Sequence, residues 1–378
     1  MMRRLAPILA GLLGVTSAAA QAPVRIGLSA PLTGPDAAFG LGLRQGAEQA
    51  VADLNRAAGG RPRWVLIPAD DGGDGRQAVA VARKFTAEGV RLVVGPLESG
   101  AVAAAAPAYE EAGAVMVAPG ATYTPLTGRG LWNLFRLAAS DAQQGRAAGA
   151  YLARAFAGRR VGIVNDRSTF GRGLADAVAT RLKEAGTPEV LFESFARGTR
   201  DPADVVAPLK AARIEAVYFG GLAPEAAALL RAMRDAGLSG TLVASDGILD
   251  PGFAAAAVGD GEGTVMTVVP DPPRLPEPRG GRSTPRGPEA ESVAAGGYAA
   301  VELLAQAVEH ARAADPKTGR IADGRRVAEA LRVGKIRTLL GPVGFDARGD
   351  RSGTPIALRI WRRTPDGRLD YAGNDAEP

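Results

Sequence analysis

Two apolar runs a single helix apart constrain this chain more than any other feature. Leu92-Val93-Val94-Gly95-Pro96-Leu97-Glu98-Ser99-Gly100 and Val115-Met116-Val117-Ala118-Pro119-Gly120-Ala121-Thr122 each stop abruptly in small residues and a hydroxyl. The alanine-rich stretch between them, Ala101 to Ala112, reads as the crossover helix of a βαβ unit. Such crossovers are right-handed and leave the two strands parallel, so both carboxyl ends open on the same side of one sheet. Open α/β sheets bind their ligands in that crevice. Ser99 and Thr122 bring hydroxyls to it, and backbone N–H groups at Gly100 and Gly120 are placed to hold a carboxylate. The pattern is a cradle for a small polar ligand.

The same rhythm extends along most of the chain. Val24 to Ala30, Trp64 to Ile67 and Arg91 to Gly95 read as strands, separated by helical spacing around Leu43 to Leu54 and over Gln77 to Glu88. A second round runs from about Asp141, with strands at 160–164, 190–195, 216–220 and 241–244 between helical segments. Strands alternating with helices of this length predict parallel sheets with helices on both faces. Two rounds predict two such lobes, since one sheet holding all these strands would be improbably wide. After a strand at Val265 to Val269 the rhythm breaks. Pro270 to Pro288 is rich in proline, arginine and glycine, a long helix spans Ala294 to Ala313, and Pro342 to Phe345 with Ile356 to Trp361 suggests a closing β-hairpin.

The N-terminus is set apart from this fold. Met1-Met2-Arg3-Arg4, an apolar core from Leu5 to Val15 and Ser17-Ala18-Ala19-Ala20 have the form of a secretory leader over residues 1–20. Its apolar run is too short to span about 30 Å of hydrocarbon. There is no cysteine, which excludes disulfides, a thiol nucleophile and a lipid-modified cysteine. The chain is therefore expected in a bacterial periplasm, stabilised by its core alone. Its formal net charge is +5, without a basic block or aromatic–basic interleaving, so nucleic-acid binding is not expected.

Groups for catalysis are scarce. The single histidine, His310, sits near the end of a helix beside Glu309, and no Gly-x-Ser-x-Gly elbow occurs. Asp70-Asp71-Gly72-Gly73-Asp74 lacks the glutamate of a calcium loop and reads as a turn. The first strand runs into Ser29-Ala30-Pro31-Leu32-Thr33-Gly34-Pro35, not into a dinucleotide-binding Gly-x-Gly-x-x-Gly. Neither an enzyme, a metal site nor a cofactor is expected.

Taken together, Ile26 to Gly34, Gly46 to Asn55, Ala118-Pro119-Gly120-Ala121-Thr122, Phe170-Gly171-Arg172-Gly173, Tyr218-Phe219-Gly220-Gly221 and Gly341 to Asp346 resemble, in order and spacing, the substrate-binding proteins of branched-chain amino acid ABC transporters. The resemblance implies the type I periplasmic binding protein fold: two doubly wound parallel-sheet lobes joined by hinge strands. The first lobe would take residues 23–139 and 270–338, and the second 140–269 and 339–378. It further implies that Ser99, Gly120 and Thr122 grip a ligand's carboxylate and ammonium, with Ala121 on the same loop and Asp246 pairing with the ammonium. Phe39 and Phe170 stand where tyrosine is common and Leu222 where another aromatic is frequent, so the pocket wall is expected to be less polar. The implied function is capture of a small amino-acid-like ligand between the lobes by a monomer, for delivery to an inner-membrane ABC permease. A sensor feeding a kinase or chemoreceptor is the alternative, and an aliphatic amino acid, an aromatic acid and a small amide all remain open as ligand.

Overall fold

The computed structural model describes residues 22–59, 63–249, 251–257, 259–270, 273–276 and 288–376. The expected leader at 1–20 and most of the 270–288 loop lie outside the described residues.

The first round folds as β1 (Val24–Ala30), α1 (Ala37–Ala57), β2 (Trp64–Asp70), α2 (Gly75–Ala87), β3 (Leu92–Val94), α3 (Ser99–Glu111), β4 (Val115–Ala118) and β5 (Leu134–Arg136). Its five strands form a wholly parallel sheet in the order β2-β1-β3-β4-β5. The second round gives α4 (Asp141–Ala155), β6 (Val161–Asn165), α5 (Thr169–Glu184), β7 (Leu191–Ser194), α6 (Ala203–Ala211), β8 (Ala216–Gly220), α7 (Ala223–Asp235), β9 (Thr241–Ala244), α8 (Pro251–Ala256) and β10 (Val265–Val268). The chain then continues through α9 (Pro288–Ala311), α10 (Arg325–Arg332), β11 (Ile336–Thr338), β12 (Gly341–Val343) and β13 (Ala357–Ile360). The second sheet has the order β13-β10-β9-β8-β6-β7, parallel except where β13 runs against β10.

Each sheet is sandwiched between two apolar cores. In the first lobe one core packs α1 and α9 against β1 and β3, and the other packs α2 and α3 against the opposite face. The second lobe repeats the arrangement. Helix starts follow local chemistry. Asp74 accepts from the N–H groups of Arg76 and Gln77, and Ser140 with Gln143 forms a reciprocal capping box at α4. By contrast α3 has no side-chain cap, so the N–H groups of its first turn, from Ser99 onward, are left without intrahelical partners. It also begins two residues before the expected Ala101.

The expected closing hairpin does not form. Gly341–Val343 pairs with Ile336–Thr338, whereas Ala357–Ile360 pairs with Val265–Val268 of the second sheet. Val343 and Phe345 lie in the first lobe's core, where Phe345 meets Phe135 edge-on with ring centroids 5.1 Å apart. Residues 339–345, expected with the second lobe, thus pack with the first, and the chain crosses to the second sheet only between Phe345 and β13.

Helices α1 and α9 lie in backbone contact. A Cβ at Gly46 would fall 1.9 Å from the Ala294 carbonyl oxygen, and one at Gly297 would fall 2.4 Å from that of Leu43. Neither neighbour is a side chain able to swing aside. Gly46→Ala is expected to lose about 1–3 kcal/mol by forcing the helices apart. Urea unfolding should show a lower midpoint with an unchanged slope.

Candidate functional site

The carboxyl ends of both sheets face each other across a cavity of about 440 Å³. Seven of the nine residues singled out in the sequence line it: Phe39 in the first turn of α1, Ser99 at the start of α3, Gly120 and Thr122 after β4, Phe170 in α5, Leu222 before α7 and Asp246 after β9. The other two lie elsewhere. Ala121 is fully buried in the core on the α2–α3 face, and Gly100 faces across to α5, where an added Cβ would sit 3.4 Å from Thr169 Oγ1.

On the first lobe, Ser99 Oγ accepts hydrogen bonds from the backbone N–H groups of Thr122 (3.1 Å) and Tyr123 (3.2 Å). This locks the start of α3 to the loop after β4 and leaves the serine proton free of these two bonds. Thr122 Oγ1 is buried beside the Asp141 carboxyl, and a hydrogen bond from this hydroxyl opposes the rise in that carboxyl's pKa. Gly120 permits the close packing behind them, since a Cβ there would stand 2.4 Å from Leu97 Cδ1.

On the second lobe stands Asp246. Gln144 Nε2 donates to both of its carboxylate oxygens at 3.1 Å, and Thr267 Oγ1 in turn donates to Gln144 Oε1 at 2.7 Å. Burial pushes the Asp246 carboxyl up to about 6, while the Gln144 hydrogen bonds oppose the rise. No arginine or lysine among the described residues forms an ion pair with it. The site therefore presents a positioned, uncompensated carboxylate opposite a set of hydroxyl and N–H groups.

Three further residues support this arrangement and were not singled out from sequence. Buried Arg136 donates to the carbonyl oxygens of Thr122 (2.9 Å) and Tyr123 (2.6 Å), to Thr127 Oγ1 (2.9 Å) and to Asp350 Oδ1 (2.9 and 2.6 Å). It fixes the loop that carries Thr122. The only signal in the sequence was a charge inside the apolar run Leu134 to Ala139. Asp141, beside Thr122, has its carboxyl pushed up to about 7 by burial. Gln144 lies next to the capping-box residue Gln143, and nothing local marks it as the orienting partner of Asp246.

The lobes touch around the cavity. Arg197, after β7, forms an ion pair with Asp36, before α1. Glu98 lines the cavity nearby, and its carboxyl is pushed up to about 7 by burial and by Asp36, with Arg197 opposing. A Cβ on Gly173 of α5 would lie 2.7 Å from Tyr123 Cδ2.

Two doubly wound lobes closing strand ends around a cavity of this size define a two-lobed solute-binding protein. The chain belongs to the Periplasmic binding protein family, whose model it matches over residues 23–364. It is 36% identical over 356 residues to the Leu/Ile/Val-binding protein homolog 1 of Brucella melitensis, covering 93% of this chain and 94% of that one. Its fold is similar to a leucine binding protein from Thermotoga maritima, with a TM-score of 0.76 at 23% identity, covering 93% of this chain and 98% of that one. It is also similar to a solute binding protein from R. palustris in complex with 4-hydroxybenzoate, with a TM-score of 0.78 at 19% identity, covering 94% of this chain and 96% of that one. Members of the family bind substrates and are not enzymes. Among the described residues no helix is long and apolar enough to cross a membrane.

Proposed function

We propose that this protein is the periplasmic receptor of an ABC importer and captures an α-amino acid between its lobes. The observation that carries the reading is the pairing of opposite needs across one cavity. Asp246 is an oriented carboxylate without a cation among the described residues, and Ser99 and Thr122 bring hydroxyls to the opposite side of the cavity. An α-ammonium and an α-carboxylate answer both at once, whereas a benzoate would leave Asp246 desolvated beside an aromatic acid of the same charge. The amino-acid-binding relatives support this choice over an aromatic acid or a small amide. Phe39, Phe170 and Leu222 form the apolar wall along which the ligand's tail would lie.

Binding would draw the lobes together and trap the ligand, as in other hinged receptors. The closed form of a monomer would then dock on an inner-membrane permease. Residues 1–20 would direct export and be removed. The family relationship favours delivery to a permease over signalling to a kinase or chemoreceptor.

A thermal-shift screen of the mature protein against the common amino acids, benzoates and small amides tests the reading. At 100 times its Kd, a true ligand should add about 2.7 kcal/mol of stability. The expected hits are amino acids with a free α-ammonium, and their N-acetyl forms should be inactive. A screen in which only aromatic acids or amides stabilise the protein would overturn it.

A further inference from the structure

The cavity has a second polar end. Beyond β5 the chain segment at Asp350 bridges Arg136 in parallel and continues the edge of the first sheet. Its backbone is tied there by the Arg351 N–H donating to the Arg136 carbonyl at 3.0 Å. From this segment Arg351, Thr354 and Pro355 line the cavity. The other two arginines in this region, Arg136 and Arg348, both pair with Asp350. Arg351 has no carboxylate within ion-pair distance among the described residues. Its one side-chain hydrogen bond there goes to the Leu340 carbonyl, at 3.3 Å. Burial lowers its pKa from the ordinary arginine value, and no acid opposes the change. Beside it Thr354 is 9% exposed, and its Oγ1 has no hydrogen-bond partner among the described residues. A half-buried guanidinium needs a counter-charge, and its fork of donors fits a carboxylate best.

Given the amino-acid reading above, on which this rests, we propose that Arg351 and Thr354 form a subsite for an anionic group at the far end of the ligand. The protein is then a receptor for amino acids whose side chain ends in a carboxylate. The Asp350 segment lies two strand positions from β4, which is about 10 Å at ordinary strand spacing. Arg351 and Thr354 line the same cavity as Asp246, Ser99 and Thr122, so glutamate and its one- and two-carbon-longer homologues are the chain lengths to compare. The apolar wall of Phe39, Phe170 and Leu222 covers the methylene groups between the two ends.

Calorimetric titration of the mature protein with L-glutamate, L-2-aminoadipate, L-2-aminopimelate, L-leucine and L-norleucine tests this. At least one dicarboxylate should bind about 30-fold or more tightly than norleucine. Arg351→Met should remove that preference and leave norleucine binding unchanged or tighter. Arg351→Lys should keep part of it, and Thr354→Val should weaken only the dicarboxylates, by about 3- to 10-fold. The inference falls if leucine or norleucine outbinds every dicarboxylate in the wild type, or if the Arg351 and Thr354 variants weaken both series alike. If no amino acid binds at all, the reading of Asp246, Ser99 and Thr122 falls first and this one with it.

Discussion

Asp246→Asn is expected to abolish useful amino-acid binding, weakening affinity by about 30-fold to several thousand-fold. That range corresponds to the 2–5 kcal/mol typical of truncating one partner of a buried, hydrogen-bonded charge pair. The substitution preserves shape, and Gln144 Nε2 can still donate to the one carbonyl oxygen that remains, while the new amide NH2 group faces a donor. The loss therefore reports the charge. The unliganded variant should be no less stable than wild type near neutral pH, because it removes an uncompensated carboxylate. Calorimetric titration and thermal unfolding of the same sample separate the two effects.

The pH dependence gives a second handle on the same residue. Burial raises the Asp246 carboxyl from the ordinary 3.8 to about 6. For an acid shifted upward, the contribution to fold stability is greatest below the unfolded value and is lost as pH rises through about 6. Ligand binding runs the other way. It needs the ionised form, so affinity should fall as pH drops below about 6, and Asp246→Asn should be flat in that window. Glu98 and Asp141 titrate higher, at about 7, so any step they contribute appears there in both proteins. A wild-type affinity that does not change between pH 7 and pH 5 would argue against ammonium pairing at Asp246.

Arg136→Met is the second large expected effect, this time on the fold. Arg136 is 1% exposed and serves two carbonyls, a hydroxyl and the carboxylate of Asp350. Removing it strands all of these, and breaking a buried pair from one side costs about 3–5 kcal/mol. The thermal midpoint should fall by about 4–7 °C for a protein of this size. Ligand affinity should fall as well, because the loop bearing Thr122 loses its anchor. Asp350→Asn should cost less, since Asp350 is 17% exposed at its side chain. The double variant should lose less than the two singles combined, as residues sharing one interaction do. A midpoint change under about 2 °C for Arg136→Met would show that the loop is held by other means.

Much of the cradle was legible in the sequence because its determinants are local. The strands at Leu92–Val94 and Val115–Ala118 are short apolar runs, the helix between them is an alanine-rich segment of the right length, and the handedness of the crossover does the rest. Ser99 and Thr122 had to end up on one sheet edge. Asp246 was reached through the family resemblance, because a lone acid after a strand carries no local mark of its task.

Strand pairing at the C-terminus was misread for a related reason. The runs at 342–345 and 356–361 were correctly apolar, but apolar character identifies a strand and says nothing about its neighbour. Gly341–Val343 found Ile336–Thr338 five residues away, and Ala357–Ile360 found Val265–Val268 in the other lobe.

Charged residues show the same division most sharply. Arg136, Arg348 and Arg351 look alike in a sequence, yet one is buried in five hydrogen bonds, one is exposed on a turn, and one faces the cavity without an acid among the described residues. Arg136 and Asp350 lie 214 positions apart in the chain. Periodicity within a dozen residues is enough to determine strands, helices and the edge on which they open. Which buried charge meets a counter-charge and which does not depends on distant segments coming together, and only the tertiary structure decides that.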